Sequence, residues 1–224
     1  MDLYFSPLAC SMATRIALDE AGAAARFVEV DPFTHRTLDG AELSAIAPLS
    51  QVPALRTEDG TVITENAAVL QYVASRFPDA KLGPTDGLER VRLHEWLCFI
   101  GTELHKVVFA PLLDRNAPDA VRTYALTKVP ARFAALEARL KDREYLLDQF
   151  SVADAYLVTV LNWTAATPID LSKWPVLSAY VTRLRARPSV ARAIAIELPL
   201  YMAEQKRHAA ALANGCSSCR RVLS

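Results

Sequence analysis

The pattern of predicted strands and helices changes abruptly near residue 80, and this change constrains the fold more than any other feature of the sequence. Before it, strand and helix signatures alternate in the order β-α-β, an irregular stretch, then β-β-α. These segments are residues 2–6, 11–21, 26–31, 32–50, 54–64 and 66–77. After it, apolar residues recur only at helical spacing, as in Leu93, Leu97, Ile100 and Leu104. An α/β domain followed by an all-helical domain is therefore predicted.

Residues 78–87 (PDAKLGPTDG) hold two prolines and two glycines, a composition typical of a linker. We predict an α/β domain over residues 1–80, a helical domain over 88–212 and a flexible tail over 213–224. The tail contains a lone C-x-x-C, Cys216 to Cys219, which is only half of a zinc site.

Within the helical part, Ser151 and Asp154 have the spacing of a capping box with Asp in place of Glu, which predicts a helix start at Ser151. Pro175 and Pro188 are each placed where a further helix could begin.

Charge and glycine content exclude several classes of function. Lys+Arg and Asp+Glu are both 25, so the chain has no surplus of positive charge for general nucleic-acid binding. Seven glycines in 224 residues include no G-x-G, which excludes the G-x-G-x-x-G dinucleotide loop, and the G-x-S-x-G elbow and the Walker loop are also absent. With 52% hydrophobic residues, the chain has ample material for a core.

The N-terminus, Met1 to Phe5, has no positively charged segment and enters a strand-like run directly, so no secretory signal is expected. The longest uncharged stretch, residues 155–169, is too short to cross a bilayer. Four cysteines do not make a disulfide framework. A cytoplasmic protein with no membrane partner is expected.

Cys10 lies between the first strand and the first helix. Unpaired N–H groups and the partial positive charge of a helix N-terminus favour a thiolate, which is the nucleophilic form. Ala13 occupies the place of a second cysteine, so Cys10 cannot form a C-x-x-C disulfide. The alternative is that Cys10 is a small buried hydrophobic residue.

Two further segments could bind a ligand through the backbone. Gln51-Val52-Pro53 precedes a strand, and a cis Val52–Pro53 bond would turn the Val52 N–H and C=O outward toward a peptide-like ligand, although trans is the commoner state. Glu65-Asn66 opens a helix and would either cap it or leave its N–H groups free for a carboxylate.

The helix near residue 100 places Cys98, Thr102 and His105 on one face, with Lys106 beside them. His105 and Lys106 would stabilise the negative charge of a nearby thiolate. The alternative is that His105 packs against its neighbours and Lys106 is solvated. His94 and Cys98 have the i, i+4 spacing of metal ligands, but zinc needs at least three protein ligands and His105 is too far along the axis. No metal site is predicted.

Taken together, these segments resemble the glutathione transferases, most closely the bacterial beta class. The resemblance rests on LYFSPLACSMATRIALDEAG, SQVPALRTEDGTVITEN, WLCFIGTELHK and FSVADAYLVTVLNW, and covers essentially the whole chain. It implies a thioredoxin-like βαβ-ββα domain followed by an all-helical domain, with glutathione as co-substrate.

The resemblance also implies roles for individual residues. Cys10 matches the cysteine beside the glutathione sulfur, and Ser11 adjoins it as a possible donor to a thiolate. Val52 and Pro53, preceded by Gln51, match the cis-proline element that pairs with the cysteinyl unit. Glu65 and Asn66 match the pair that holds the γ-glutamyl end of glutathione. His105 and Lys106 match the pair that approaches the thiol from the helical domain. Glu103 matches an acidic residue near the dimer interface that reaches the ligand of the neighbouring subunit.

Three positions depart from the family pattern. Asn66 replaces the usual serine and keeps hydrogen-bonding capacity. His35 stands where a lysine usually contacts the glycine carboxylate, so glutathione binding is expected to be weaker or pH-dependent. Cys98 stands where an asparagine is usual, which removes an amide and adds a thiol.

We therefore predict a cytoplasmic, homodimeric glutathione transferase that joins glutathione to an electrophilic, mostly apolar small molecule in detoxification. Cys98, Thr102, Phe109 and Trp163 are candidates for the wall around that second substrate, whose identity the sequence does not show. One alternative is a thiol transferase or peroxidase acting through a mixed disulfide at Cys10. Another is a non-catalytic binding module of the same fold.

Overall fold

The computed structural model describes residues 1–213. Its sheet has five strands: β1 (Asp2–Phe5), β2 (Arg26–Asp31), β3 (Arg36–Thr37), β4 (Ala54–Arg56) and β5 (Val62–Thr64). They lie in the order β3-β2-β1-β4-β5, and β1 and β2 are parallel while the other neighbours are antiparallel. The predicted β-α-β and β-β-α order is confirmed.

Two helices of this part pack against the sheet, α1 (Met12–Glu20) and α2 (Asn66–Arg76). Every residue of α1 from Met12 to Leu18 is buried, because the helix lies between the sheet and the helical domain. The opposite face of the sheet buries Tyr4 and Val30 against Leu43 and Ala47.

The stretch predicted to be irregular, residues 32–50, contains two short elements that the sequence analysis missed, a strand and a 3-10 helix at Leu43–Ala45. In the strand, Arg36 and Thr37 form β3 and pair with Asp31 and Val30. Two residues are too few to show the alternation that marks a strand in sequence.

The helical part contains α3 (Gly87–Phe99), a π-helical segment (Ile100–Phe109), α4 (Ala110–Leu113), α5 (Asp119–Leu140), α6 (Val152–Asn162), α7 (Pro175–Arg185) and α8 (Pro188–Ala213). Ser151 caps α6, and the Asp154 carboxylate accepts a hydrogen bond from the Ser151 N–H at 3.0 Å, so the predicted capping box is confirmed. The predicted helix starts at Pro175 and Pro188 are also confirmed.

Helix α3, the π-helical segment and α4 form one continuous helix over Gly87–Leu113. Length and composition alone would let it cross a membrane, but its apolar stripe is buried in the core shared with the other helices. Helical spacing predicts Val107 as the next residue of that stripe, but the buried residue is Val108, and burial continues at Phe109 and Leu112. A π turn takes more residues than an α turn, so the buried position moves by one residue.

Candidate active site

A cleft of about 390 Å³ lies between the α/β part and the long helix. Cys10 enters it from the loop after β1, Tyr156 enters from α6, and the floor comes from the segments before β4 and α2. Most of the predicted site residues line this cleft: Cys10, Gln51, Val52, Pro53, Glu65, Asn66, Cys98, His105 and Lys106. Folding thus brings together residues that are up to 96 positions apart in the sequence.

The Val52–Pro53 peptide bond is cis. The Cys10 thiol donates a hydrogen bond to the Val52 carbonyl, with 3.3 Å between sulfur and oxygen. A peptide-like ligand that paired with the Val52 backbone would therefore place a side chain next to Cys10.

Of the two interpretations of Cys10, an activated thiolate or a small buried residue, the structure favours the buried residue. Cys10 is only 8% exposed, and burial raises the pKa of its thiol to about 12. Lys106 and the N–H groups of Cys10 and Ser11 lower that pKa, but their effect is smaller than that of burial. At neutral pH Cys10 is a thiol and acts as a hydrogen-bond donor.

Ser11 does not face the cleft. Its side chain is fully buried, and its hydroxyl donates to the Ser6 carbonyl at 3.2 Å. The structure therefore does not bring the Ser11 hydroxyl to the position expected from the resemblance; only its backbone N–H acts on the Cys10 sulfur.

The loop that carries Cys10 is held from two sides. Leu8 has a φ of 58°, in the left-handed region. Its N–H donates to Glu197 Oε2 at 2.7 Å, and its carbonyl accepts from Trp163 Nε1 at 2.9 Å. Glu197 is fully buried and also pairs with Arg15 at 2.6 Å. The position of Cys10 thus depends on residues near the other end of the chain.

Helix α2 begins without a side-chain cap, so the capping interpretation of Glu65-Asn66 does not apply. Neither side chain accepts from the first N–H groups of the helix, which remain available to an anion. Asn66 Oδ1 accepts from Thr14 at 3.4 Å, whereas its buried Nδ2 has no acceptor within hydrogen-bond distance. Glu65 itself has a φ of 66°, a strained conformation of the kind found at ligand sites.

His105 and Lys106 lie on the π-helical segment, a type of helix that is frequent at functional sites. Burial, together with the positive charge of Lys106, lowers the pKa of His105 to about 4, so its ring is neutral at pH 7. Its Nδ1 is 2.8 Å from the Tyr156 hydroxyl. Lys106 therefore supplies the positive charge beside Cys10.

A second and larger cavity, of about 910 Å³, adjoins the cleft, and Cys10 and His105 line both. Its walls are mostly apolar and come from the loop after β1, from the region of Trp163 and from α8. The α8 residues among them are Ala191, Ile194, Leu198 and Tyr201.

Three of the predicted second-substrate residues lie elsewhere than expected. Cys98 and Thr102 line the smaller cleft and not the apolar cavity. Phe109 is fully buried behind Trp163, with 5.8 Å between the ring centroids. Only Trp163 lines the apolar cavity as expected.

Two other predicted residues are outside the cleft. Exposed His35 lies beside it, with Nδ1 3.2 Å from the carbonyl of Ser50. Glu103 forms an ion pair with Arg132 at 2.6 Å within its own chain. The tail cysteines Cys216 and Cys219 lie outside the described residues.

Sequence reasoning missed Tyr156 and the α8 contributions. Tyr156 sits in a run that is buried on all sides, so its spacing does not distinguish it from its core neighbours. A hydroxyl in such a run needs a partner, and this was the one available signal. In the part of the chain that the structure describes, no three His, Cys, Asp or Glu side chains are grouped closely enough to hold a metal ion.

Comparisons with known proteins agree with this architecture. The family model for the N-terminal domain of glutathione S-transferase matches residues 9–76, and that for the C-terminal domain matches residues 100–188. Glutathione S-transferase GstA of Escherichia coli O157:H7 is 37% identical over 199 residues, which cover 88% of this chain and 98% of that protein.

Two solved structures are closely similar. The beta class glutathione S-transferase of Sphingomonas chungbukensis has a TM-score of 0.84 at 44% identity and covers 88% of this chain and 98% of its own. A sphingomonad glutathione S-transferase complexed with glutathione has the same TM-score and coverage at 40% identity. The fold expected from the resemblance is confirmed. The chain belongs to the glutathione S-transferase family.

Proposed function

We propose that this glutathione transferase joins the glutathione sulfur to an electrophilic carbon of a mostly apolar small molecule. One observation carries the proposal: Cys10 and His105 line both the polar cleft and the apolar cavity. A sulfur held between these two side chains faces the second substrate directly, and such positioning is a large part of catalysis for two bound reactants.

Glutathione would lie extended in the cleft. Its cysteinyl backbone would pair with Val52, and its γ-glutamyl carboxylate would meet the uncapped start of α2 at Glu65 and Asn66. The free N–H groups there and the buried, unsatisfied amide of Asn66 support this orientation. The related sphingomonad enzyme was solved with glutathione.

On binding, the Cys10 thiol would turn its single hydrogen from the Val52 carbonyl to the glutathione sulfur rather than attack the substrate itself. A buried, protonated thiol is a poor nucleophile, but it is a donor that stabilises a neighbouring thiolate. Lys106 adds a positive charge, and neutral His105 adds a further N–H. A thiol with an ordinary pKa near 8.5 is ~3% ionised at pH 7, and lowering the pKa by about two units makes it mostly thiolate.

The thiolate would then attack the electrophilic carbon. The carbon–sulfur bond forms while the leaving group departs with its electron pair, and the proton of the glutathione thiol has already passed to solvent. The apolar walls of the larger cavity would exclude water and bind the second substrate.

We also propose a cytoplasmic homodimer whose domains span residues 1–80 and 88–212. Leu88 and Val91 on α3 are 66% and 58% exposed, which favours burial against a second copy. In such a dimer Glu103 would reach the partner's ligand only if its bond to Arg132 were released or shared. Light scattering of the purified protein measures the oligomeric state.

The principal test compares C10A with C98A, because Cys98 is a second thiol in the same cleft but is exposed. Conjugation of glutathione to a general aryl halide should fall at least tenfold in C10A and remain within twofold of wild type in C98A. Full activity in C10A would show that Cys10 is not needed for conjugation. If the wild-type protein neither binds reduced glutathione in calorimetry nor catalyses conjugation, it is instead a non-catalytic binding module.

The thiol-transferase alternative is separated by mass spectrometry after treatment with oxidised glutathione. A Cys10–glutathione adduct that is reduced again during turnover would favour that alternative. We expect no such adduct, because the thiol is buried and protonated.

A further inference from the structure

Tyr156 lies beside His105, the histidine of the proposed reaction. Tyr156 itself has no role in that reaction as described so far. It projects from α6, is 2% exposed, and places its hydroxyl 2.8 Å from His105 Nδ1. The two rings are perpendicular, with centroids 6.1 Å apart. The close contact between the two side chains is therefore the hydrogen bond and not parallel stacking of the rings.

The direction of this bond follows from the groups around it. The other polar side chain facing the hydroxyl is Asn66, whose Oδ1 is already engaged by Thr14. The Asn66 side chain lowers the pKa of Tyr156, although its Nδ2 is not within hydrogen-bond distance of an acceptor. Within residues 1–213, the hydrogen bond that the Tyr156 hydroxyl makes is the one with His105 Nδ1, which is therefore the acceptor for its proton.

The charge states agree with this direction. Burial raises the pKa of Tyr156 above its ordinary value, so the phenol keeps its proton. Burial and Lys106 keep His105 neutral. A neutral imidazole whose Nδ1 accepts a hydrogen bond carries its own hydrogen on Nε2.

A second aromatic ring packs against His105. Trp163 packs against it with 4.9 Å between centroids, and the indole is itself held by the carbonyl of Leu8. The edge of His105 that bears Nε2 is therefore the one not bonded to Tyr156. The loop that holds this indole in place is the one that carries Cys10.

We propose that Tyr156 is a positioning residue that holds His105 in its Nε2–H form, so that Nε2 donates to the sulfur in the cleft. The part of this proposal that concerns the sulfur rests on the proposed function. The part that concerns the histidine does not, and the two are tested separately.

The first test needs neither a variant nor glutathione. Nitrogen-15 NMR of the histidine rings in the free wild-type protein, with H105N used to assign the signal, reports which nitrogen carries the hydrogen. We expect Nε2–H throughout the neutral pH range. A signal from Nδ1–H, or from a mixture of both forms, would overturn the proposal even if the enzyme is active.

The second test uses Y156F, which keeps the ring and removes the hydroxyl. The His105 signal should then show both forms. The kcat for conjugation should fall about five- to tenfold, the size of one hydrogen bond, with the KM for glutathione within twofold. Absorbance of the thiolate near 240 nm should show a higher pKa for bound glutathione.

Y180F is the matched control, because Tyr180 is equally buried and its hydroxyl donates to Asp154 at 2.9 Å, away from both cavities. It should lose stability and keep kcat and the thiolate titration. In an H105N background, Y156F should cause little further loss of kcat. Equal losses with and without His105 would mean that Tyr156 acts independently of it, and would overturn the positioning role. Inactivity of the wild type would end the proposed function but would leave the NMR result standing.

Discussion

The buried ion pair between Arg15 and Glu197 offers a sharp test of how this fold holds its reactive loop. Arg15 is on α1 and Glu197 on α8; they are 6% and 0% exposed, and Nε lies 2.6 Å from Oε1. The second carboxylate oxygen accepts from the Leu8 N–H at 2.7 Å. One carboxylate therefore neutralises a buried cation and anchors the loop before Cys10.

Replacing Glu197 by leucine, E197L, leaves the Arg15 charge buried and unpaired, which costs about 3–5 kcal/mol. The unsatisfied Leu8 N–H adds about 1 kcal/mol. The guanidinium lies 3.8 Å from the centroid of the Phe27 ring, a contact that offsets only a small part of this loss. We expect E197L to lower the free energy of unfolding by about 4 kcal/mol.

The double variant R15M/E197L removes the charge as well as its partner. It should lose only about 1–2 kcal/mol, because what remains is the Leu8 N–H and the lost contact with Phe27. The control is E95A, since Glu95 forms an exposed pair with Arg92 and its loss should cost less than about 1 kcal/mol.

Urea denaturation followed by circular dichroism, at one fixed protein concentration, measures all three variants. The double variant should be more stable than E197L by about 3 kcal/mol. If it is no more stable than E197L, the buried charge is not the cause of the loss, and the reasoning fails. If E197L is as stable as E95A, the pair contributes nothing.

Three further predictions concern other side chains. D154N should lower the free energy of unfolding by about 2–3 kcal/mol with little change in kcat, because the carboxylate accepts bonds from the Leu146 N–H and from Ser151; an unchanged urea midpoint would contradict this. Burial raises the pKa of Glu204 to about 7, so the folded state binds this proton more tightly than the unfolded state does. The stability that this proton contributes is therefore fully present below about pH 4.5 and is lost as the pH rises to 7. E204Q should therefore raise Tm relative to wild type at pH 8 but not at pH 4.5, and equal shifts at both pH values would refute the sign. W163F loses the bond to the Leu8 carbonyl and should lower kcat/KM several-fold at a stability cost of about 1 kcal/mol; kinetics equal to wild type would show that this bond does not hold the loop.

The resemblance predicted most of the cleft because its residues belong to short segments with their own local signatures. The two residues of each pair, Val52–Pro53 and Glu65–Asn66, are adjacent in the sequence and therefore lie side by side in the cleft. His105 and Lys106 follow from helical spacing, which depends only on the chain itself. Ser11 and Glu103 have the expected sequence positions, but their side chains face Ser6 and Arg132.

The sequence by itself determined the order of strands and helices, the capped start of α6 at Ser151 and the exclusion of phosphate-binding loops, since each depends on residues within a few positions of one another. Only the tertiary structure decided the protonation of Cys10, because burial by distant segments outweighs the effect of the adjacent helix start. It likewise decided the hydrogen bond of Tyr156 to His105 and the anchoring of Leu8 by Glu197. These contacts join residues 51 and 189 positions apart, and their energies depend on distance and desolvation, which no local pattern records.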